Sequence, residues 1–431
     1  MTTVGNSRRM SRRTVALGAA AAPFAASAAI GLASASAQDK QDVRIASYTV
    51  NDTWNATVEE MIAAFNAQST LANASIEFRP GDQYWDKLQT EYAGGQAPDI
   101  TLVNSEWIGA GASRGMFVDL QPLYERDQVD QSDLWFDMTT DWGWEGGQYG
   151  ALLYVAGQAL YVNKDLLDAA GEPMPAVDWT WDDLLESAKR LTNEAEGQYG
   201  IYIGPLPPPH WSCAFVQGAG GAVLNDARDE CTLNTAEARA GLQWIVDLML
   251  AHKVMPTVGA TEGQENPFLA NKIAYFFGGT WEESAIRTTE INWDFAHMPA
   301  HPTTGITSVQ LGSNAWSMLS TTGDEDATWE VLKYLGGPDG AQALVSLGVP
   351  GFNSVVESAE YQELHRPQDI LVPVSDFREF GHDYYTTPDA AEWLTAVVNE
   401  LGPMWTGEDT VENSTQRAVD RVNEIFSMRT F

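Results

Sequence analysis

Residues 43–104 alternate between short apolar runs and amphipathic stretches, and this alternation limits the fold more than any other feature of the sequence. Short runs rich in β-branched residues are typical of strands, whereas apolar residues at helical spacing indicate helices. The order strand, helix, strand, helix, strand predicts a parallel sheet with helices on its faces, which is the α/β class. The five segments are VRIASYTV, NATVEEMIAAFNAQ, SIEFR, YWDKLQTEYAG and DITLV.

Several helices carry signals of their own. Thr57 with Glu60, and Thr180 with Asp183, match the capping box that starts a helix. The segment KIAYFFGGTW is predicted to be a strand that ends in glycines and a tryptophan. A long helix is predicted at TAEARAGLQWIVDLMLAHK, with an apolar face made of Leu242, Ile245, Val246, Met249 and Leu250.

Polar and aromatic side chains follow each of the first three predicted strands. They occupy residues 51–54, 82–85 and 104–107. Ligands of parallel α/β sheets bind outside the carboxyl ends of the strands, where loops and helix N-termini meet. We therefore expect these side chains to form one wall of a ligand cleft.

Length and charge limit the classes of protein that remain. A chain of 431 residues exceeds what one hydrophobic core usually organises, which predicts two lobes of about 150 to 200 residues. Asp and Glu number 59 against 24 Lys and Arg, for a formal net charge of −35. Nucleic acid is excluded as a partner, since phosphate binding needs clustered basic residues.

The N-terminal residues 1–37 read as an export signal. They hold four arginines, no acid and an Ala-rich apolar run. Ser11, Arg12 and Arg13 precede that run as in a twin-arginine signal, and Ala35-Ser36-Ala37 resembles the cleavage site before Gln38. Its removal would bring the charge from −35 to −39 and leave the mature chain in the periplasm. The alternatives are an ordinary secretory signal or a membrane anchor; Pro23 and the shortage of large apolar residues argue against an anchor.

Cys213 and Cys231 lie 18 residues apart in a chain predicted to be exported. A disulfide between them is the expected state. Two cysteines without a CxxC pair make a poor metal site. His297 and His301 are spaced four apart, but the intervening Met298-Pro299 makes a helix unfavourable. Two histidines near a crossing strand are therefore the expected outcome, and a zinc ligand pair is the alternative. We expect no metal and no other cofactor.

Six segments together resemble the extracellular solute-binding proteins of ABC importers, specifically the sugar-binding family 1 that includes maltose-binding protein. They span nearly the whole mature chain and follow one another in the same order as in that family. They are YWDKLQTEYAGGQAPDITLV, GGQYGALLYVAGQALYVNKDLLDAAG, WTWDDLLESAKRLT, AFVQGAGGAVLND, CTLNTAEARAGLQWI and FLANKIAYFFGGTW. The resemblance implies a two-lobe periplasmic-binding-protein fold with hinge crossings and a ligand cleft between the lobes. It also implies a monomer that captures a carbohydrate, such as a mono- or oligosaccharide or a glycoside, by hinge closure and delivers it to a membrane permease.

The resemblance further implies lobe boundaries and cleft residues. The first lobe takes residues 42–150 and 299–337, and the second takes 154–297 and 340–431. A sugar needs bidentate polar side chains around its edge and flat aromatic rings against its faces. The candidates that fall where the family has its cleft are Trp54, Asp82, Gln83, Asn104, Glu106, Tyr154, Trp211, Gly279, Thr280, Trp281, Asn314, Phe352, Arg378 and Tyr384.

Each candidate also has a structural interpretation. A tryptophan in a chain with 16 of them is often a core residue, and Asn104 is placed to cap the helix that follows it. Arg378 is expected to pair with a surface acid unless the ligand is anionic. The alternative ligands are a polyol, a glycerol phosphate or an anionic sugar. The alternative class is a secreted glycoside hydrolase or lyase, which would use two carboxyl groups; no nucleophile elbow is present.

Overall fold

The computed structural model describes residues 40–81, 83–135, 138, 142–204, 209–261, 266–382 and 385–429, except for the side chains of residues 209–211 and 261. The predicted export signal lies outside these residues. From Lys40 onward the described chain forms one unit. Its strands are β1 (Gln41–Tyr48), β2 (Ala72–Arg79), β3 (Ile100–Asn104), β4 (Gly143–Trp144), β5 (Gly147–Gln148), β6 (Ala151–Asn163), β7 (Tyr199–Ile203), β8 (Ile273–Gly279), β9 (Trp293–Ala296), β10 (Val309–Met318) and β11 (Gly381–His382).

Helices connect these strands in an alternating order that places the chain in the predicted α/β class. Up to the end of β8 they are α1 (Asp52–Gln68), α2 (Tyr84–Ala93), α3 (Ser105–Ser113), α4 (Gln121–Asp127), α5 (Lys164–Ala170), α6 (Trp181–Leu191), α7 (Pro209–Gly218), α8 (Ala236–Leu250) and α9 (Val258–Thr261). The later helices are α10 (Glu283–Ile286), α11 (Glu325–Leu335), α12 (Pro338–Ala343), α13 (Asn353–Val356), α14 (Ala359–His365), α15 (Leu371–Phe380), α16 (Ala390–Thr406) and α17 (Val411–Ser427).

The main sheet has the strand order β2-β1-β3-β10-β6-β8-β7. The first three strands pair in parallel, as the sequence predicts for residues 43–104. At the other end, β7 and β8 are also parallel. Between them, β10 and β6 run antiparallel to each other and to their outer neighbours. Two parallel groups of strands are therefore joined by an antiparallel pair in the middle of the sheet.

The central strand β6 passes through both parts of the sheet. Its first residues, 151–157, pair with β10, and its last, 158–163, pair with β8 and β9. All thirteen residues of β6 are buried. The register of β10 against β6 shifts between Asn314 and Ala315, a bulge that turns the strand at this crossing.

The predicted start of α1 is wrong by several residues. The helix begins at Asp52 because the Asn51 side chain accepts a hydrogen bond from the backbone N–H of Trp54 at 2.8 Å. Thr57 lies inside the helix, and its hydroxyl donates to the carbonyl of Thr53. The predicted capping box at Thr180 and Asp183 is confirmed at the start of α6.

Amphipathic patterns correctly predicted the buried faces of the helices. Val58, Met61, Ile62 and Phe65 of α1 are buried, and Trp54 joins them. In α8 the predicted apolar face is buried except for Leu250, which lies at the last position of the helix and is exposed. None of the described helices is long and apolar enough to cross a membrane.

The expected disulfide is absent from the structure. Cys213 of α7 and Cys231, in the segment before α8, are both buried free thiols within the same apolar cluster. Burial raises the pKa of Cys213 to about 12 and that of Cys231 to about 11. Two cysteines close in sequence thus serve here as small apolar side chains.

Candidate ligand-binding site

A cavity of about 320 Å³ opens over the central crossing of the sheet. The carboxyl ends of β1 and β3 and the start of α3 line one side of it, and the segment after β8 lines the other. Its floor is made of β6 and β10 through residues 154, 156–158 and 310–314. The cavity therefore lies where the two parallel groups of strands meet. The polar side chains that follow the first three strands had predicted a cleft at the carboxyl ends of the first group.

A chain of hydrogen bonds crosses the floor of this cavity. The Tyr48 hydroxyl, at the end of β1, lies 2.6 Å from the side-chain oxygen of Asn314 and 2.9 Å from that of Asn104, and it can donate its one proton to either. Asn314 in turn donates to the Tyr154 hydroxyl at 3.1 Å. Burial raises the pKa of Tyr48 and of Tyr154 well above the ordinary value, so both remain neutral hydroxyls. Amides and hydroxyls of this kind both donate and accept.

Glu106 supplies the carboxyl group of the first cavity, from the N-terminal turn of α3. Burial raises the pKa of this carboxyl above its ordinary value, and a hydrogen bond with Asn104 opposes that effect. A helix N-terminus offers a favourable position for negative charge. Asn104 occupies the N-cap position of α3 but its side chain makes no capping bond, since it is turned towards Tyr48.

Trp281 forms an aromatic wall above the crossing. It is 41% exposed, the only exposed one among the tryptophans whose side chains the structure describes. Gly279, the last residue of β8, permits its position: a Cβ atom on Gly279 would lie 2.3 Å from the indole ring. An indole face open to a cavity is the surface on which a ring with C–H groups stacks.

A second cavity of about 300 Å³ lies beside the first, and Val50, Tyr154 and Trp281 line both. Trp54 and Thr280 contribute to its wall. The indole of Trp54 packs edge-on against the Tyr154 ring, with 5.9 Å between ring centroids.

The structure brings together about half of the residues expected at the cleft. Asn104, Glu106, Tyr154, Trp281 and Asn314 line the first cavity, and Trp54 and Thr280 line the second. Gly279 adjoins Trp281. Three further candidates, Asp82, the side chain of Trp211 and Tyr384, fall outside the described residues.

Three candidates lie elsewhere. Gln83 is exposed at the left-handed N-cap position of α2. Phe352 is buried in a small apolar cluster with Ala341 and Val355. Arg378 hydrogen bonds with Glu357 at 3.1 Å and Asn353 at 2.6 Å, as expected for the surface-pair interpretation, and lines neither cavity.

Sequence reasoning missed the residues that the crossing strands themselves contribute. Gln158, Gln310 and Ser313 line the first cavity, as does Tyr48. In the sequence these residues stand within or at the end of apolar strands and resemble core positions. Of these four residues, only Tyr48 could have been predicted from the sequence, because it lies at the carboxyl end of a predicted strand, β1.

The two spaced histidines have separate partners. His297 Nδ1 lies 2.6 Å from Asp376, while His301 Nδ1 accepts from the backbone N–H of Thr304 at 3.1 Å. Among the described residues no group of three or more His, Cys, Asp and Glu side chains could hold a metal ion.

The sequence profile described as "Bacterial extracellular solute-binding protein" matches residues 60–368 of the chain. The maltodextrin-binding protein of Bacillus subtilis is 22% identical over 409 residues, covering 92% of this chain and 94% of that protein.

Two solved structures share the fold at similarly low identity. A substrate-binding protein from Listeria monocytogenes in complex with cycloalternan has a TM-score of 0.82 and 22% identity, covering 91% of this chain and all of that one. The sugar-binding protein MalE from Xanthomonas citri has a TM-score of 0.78 and 20% identity, over 90% of this chain and 98% of the other. These similarities confirm the predicted two-lobe fold. The profile match covers more than half of the chain, which therefore belongs to the family of bacterial extracellular solute-binding proteins.

Proposed function

We propose that the protein captures a neutral carbohydrate in the cavity over the crossing strands and delivers it to the membrane permease of an ABC importer. The observation that carries the proposal is Trp281, an exposed indole that walls a cavity floored by amides and hydroxyls. A sugar combines polar edges with C–H faces and complements such a site. The relatives named above support this choice, since they are named for maltodextrin, cycloalternan and sugar binding.

The charges around the cavity favour an uncharged ligand. Neither Arg nor Lys is among its described lining residues. Arg378, the cation that an anionic sugar would have used, is engaged with Glu357 and Asn353. A phosphate or carboxylate placed beside Glu106 would meet a carboxyl group instead of a basic side chain, which disfavours the glycerol phosphate and sugar acid alternatives.

We further propose that binding closes two lobes about the β6 and β10 crossing. The first lobe would comprise residues 42–150 and 299–337, and the second 154–297 and 340–431. Tyr48, Asn104 and Glu106 would then hold the ligand from one lobe, and Trp281 from the other. A ligand that contacts both lobes favours the closed arrangement by the difference in its affinity for the two states.

Binding without turnover is the proposed outcome. A glycoside hydrolase needs two carboxyl groups on either side of the scissile bond. Of the described residues that line the first cavity, Glu106 alone has a carboxyl group. We also propose that residues 1–37 direct export to the periplasm, which agrees with the extracellular family to which the chain belongs. The exported protein is proposed to act as a monomer.

A thermal-shift screen tests the proposal. The mature chain is heated with mono-, di- and oligosaccharides, polyols, sugar acids and sugar phosphates. A ligand that binds only the native state raises Tm, and the rise grows with the logarithm of the ligand concentration above Kd. We expect a shift with neutral sugars and full recovery of the sugar after incubation. A shift only with phosphates or sugar acids, or consumption of the sugar, would contradict the proposal.

A further inference from the structure

Trp281 lies in a single 3₁₀ turn, Thr280–Glu282, that runs directly into α10. The backbone N–H of Glu283 donates to the carbonyl of Thr280 and closes this turn. The Ser284 hydroxyl donates to the carbonyl of Trp281 at 3.3 Å. α10 itself has four residues and no side-chain cap at its start. Because a helix of one turn is not stable alone, the position of Trp281 depends on what holds α10.

A buried network of charged side chains joins α10 to α14. Glu283 is 7% exposed and His365, the last residue of α14, is 6% exposed. The Glu283 carboxylate accepts a hydrogen bond from Arg287 Nε at 2.7 Å and lies 2.8 Å from Nδ1 of His365. Arg287 also donates to the carbonyl of His365. The end of α14 therefore holds α10 in place, and with it the turn that carries Trp281.

Both ring nitrogens of His365 face hydrogen-bond acceptors. Nδ1 faces the Glu283 carboxylate, and Nε2 lies 3.4 Å from the carbonyl oxygen of Val345. A neutral imidazole carries one N–H and can donate to one of these acceptors, whereas an imidazolium carries two and can donate to both. His365 also lies in the last turn of α14, where a positive charge is favourable. The geometry therefore favours the protonated side chain.

We infer that protonated His365 positions Trp281 for sugar binding, so that affinity falls when the imidazole loses its proton. The inference rests on the proposed function and adds a pH dependence to it. Loss of the proton leaves one of the two ring contacts without a hydrogen and loosens the end of α14 against α10. His365 is a positioning residue, because it acts on the ligand through Glu283, α10 and Trp281. Histidine changes its charge between about pH 5 and pH 8, the range in which the effect is expected.

The groups in contact with the imidazole come from three elements. α10 contributes Glu283 and Arg287, and the segment before α13 contributes the carbonyl of Val345. α14 contributes Tyr361, whose ring centroid lies 4.5 Å from that of His365. Burial raises the pKa of Tyr361 well above its ordinary value, so this phenol stays neutral, and an arginine stays charged. Among these groups, only the Glu283–His365 pair can change its protonation in this pH range.

Two carboxyl groups nearer to the proposed ligand also titrate. Burial raises the pKa of Glu106 in the first cavity and of Glu282 beside Trp281. Protonation of Glu106 removes a charged acceptor and weakens binding as pH falls, which is opposite to the effect of His365. Both carboxyl groups remain in the variants below, so a comparison of variants at the same pH isolates His365.

The position of Trp281 is followed by ¹⁹F NMR of the ligand-free protein labelled with 5-fluorotryptophan, and Trp281→Phe identifies its resonance. We expect a titration step in this resonance between about pH 5 and pH 8 that His365→Gln lacks. The glutamine can still donate to Glu283 but has no proton to lose. His252→Gln is the matched control and should keep the step, because His252 is exposed and lines neither cavity. The same step in His365→Gln would overturn the inference, and wild type without a step would do so even if that variant did not fold.

Isothermal titration at about pH 5.5 and about pH 8 measures the effect on binding. The probes are glucose, galactose, mannose, xylose, maltose, cellobiose and lactose. We expect the ratio of Kd at the higher pH to Kd at the lower pH to be about five-fold larger in wild type than in His365→Gln, the effect of one net hydrogen bond. His252→Gln should match wild type. Equal ratios in wild type and His365→Gln would overturn the inference and leave the proposed function standing, whereas failure of wild type to bind any probe would overturn both.

Discussion

The hydroxyl of Tyr48 lies 2.6 Å from the side-chain oxygen of Asn314, a residue 266 positions further along the chain. The same hydroxyl lies 2.9 Å from the side-chain oxygen of Asn104, and a phenol has one proton to donate. At any moment, therefore, one of the two amide oxygens does not receive this proton, and both asparagines line the first cavity. This contact also ties the end of β1 to the crossing strand β10.

Tyr48→Phe removes the only proton that these two amide oxygens share, so it is expected to destabilise the protein. The loss should be about 1 kcal/mol, since water in the cavity partly replaces the hydroxyl. Urea denaturation followed by circular dichroism measures it. Tyr92→Phe is the matched control, because the Tyr92 hydroxyl bonds Gly115 and Ser320 at an exposed site and its removal should cost less than about 0.5 kcal/mol. Equal losses in the two variants would contradict the assigned role.

Trp281→Ala should weaken sugar binding by one to two orders of magnitude, about 1.4 to 2.8 kcal/mol, while Tm stays near that of wild type. The indole is too exposed to contribute much to the core. Trp107→Ala provides the contrast: Trp107 stacks on Trp85 with 5.2 Å between ring centroids and lines neither cavity. It should lower Tm and leave Kd within about two-fold of wild type. Unchanged affinity in Trp281→Ala would remove this residue from the site.

Glu106→Gln should stabilise the ligand-free protein at neutral pH. Burial raises the pKa of Glu106 in the folded state, so the proton is held more tightly there than in the unfolded chain. The stability linked to that proton is complete below the unfolded value of about 4.3 and is lost as pH rises through the folded pKa. Tm of Glu106→Gln should thus exceed that of wild type at pH 7, and the two should agree near pH 3.

The same substitution is expected to weaken ligand binding about ten-fold, because a carboxylate accepts a stronger hydrogen bond from a sugar hydroxyl than an amide does. Scanning calorimetry and titration on one preparation measure both effects. A Tm below that of wild type at pH 7 would show that the Glu106 carboxylate stabilises the fold.

Cys213 and Cys231 should react as free thiols once the chain is unfolded. Both are buried with raised pKa values in the native protein, so iodoacetamide at pH 7 should label neither. In guanidinium without a reductant it should label both, which mass spectrometry detects as two added groups. Absence of label in the unfolded, unreduced chain would show instead that the two sulfurs are bonded.

Local patterns predicted the fold well where one local interaction decides the outcome. Periodicity located the strands and helices of residues 43–104, and Thr180 with Asp183 started α6 as predicted. The start of α1 was predicted wrongly because the Asn51 side chain accepts a hydrogen bond from the N–H of Trp54, so the helix begins N-terminal to Thr57. Both sites match a capping rule, so the local pattern alone does not choose between them.

The candidate site was predictable where it follows strand ends and not where it depends on long-range pairing. Asn104, Glu106 and Trp281 follow strands, and the structure places them together at the first cavity. Arg378 and Phe352 do not line the cavity, because Arg378 pairs with Glu357 and Phe352 is buried in the cluster with Ala341. No local sequence pattern identifies these particular partners. The floor residues Gln158 and Gln310 lie within buried strands, and their role depends on where the strands cross.

The central claim is that the cavity over the crossing strands captures a neutral carbohydrate without altering it. The most direct test is isothermal titration of the wild-type chain with the sugar that raises Tm most in the thermal-shift screen. The sugar is then recovered from the sample and analysed. We predict one saturable site per chain, a negative heat-capacity change from apolar burial against Trp281, and a sugar recovered intact. Absence of saturable binding by any neutral sugar, or recovery of cleaved products, would contradict the account.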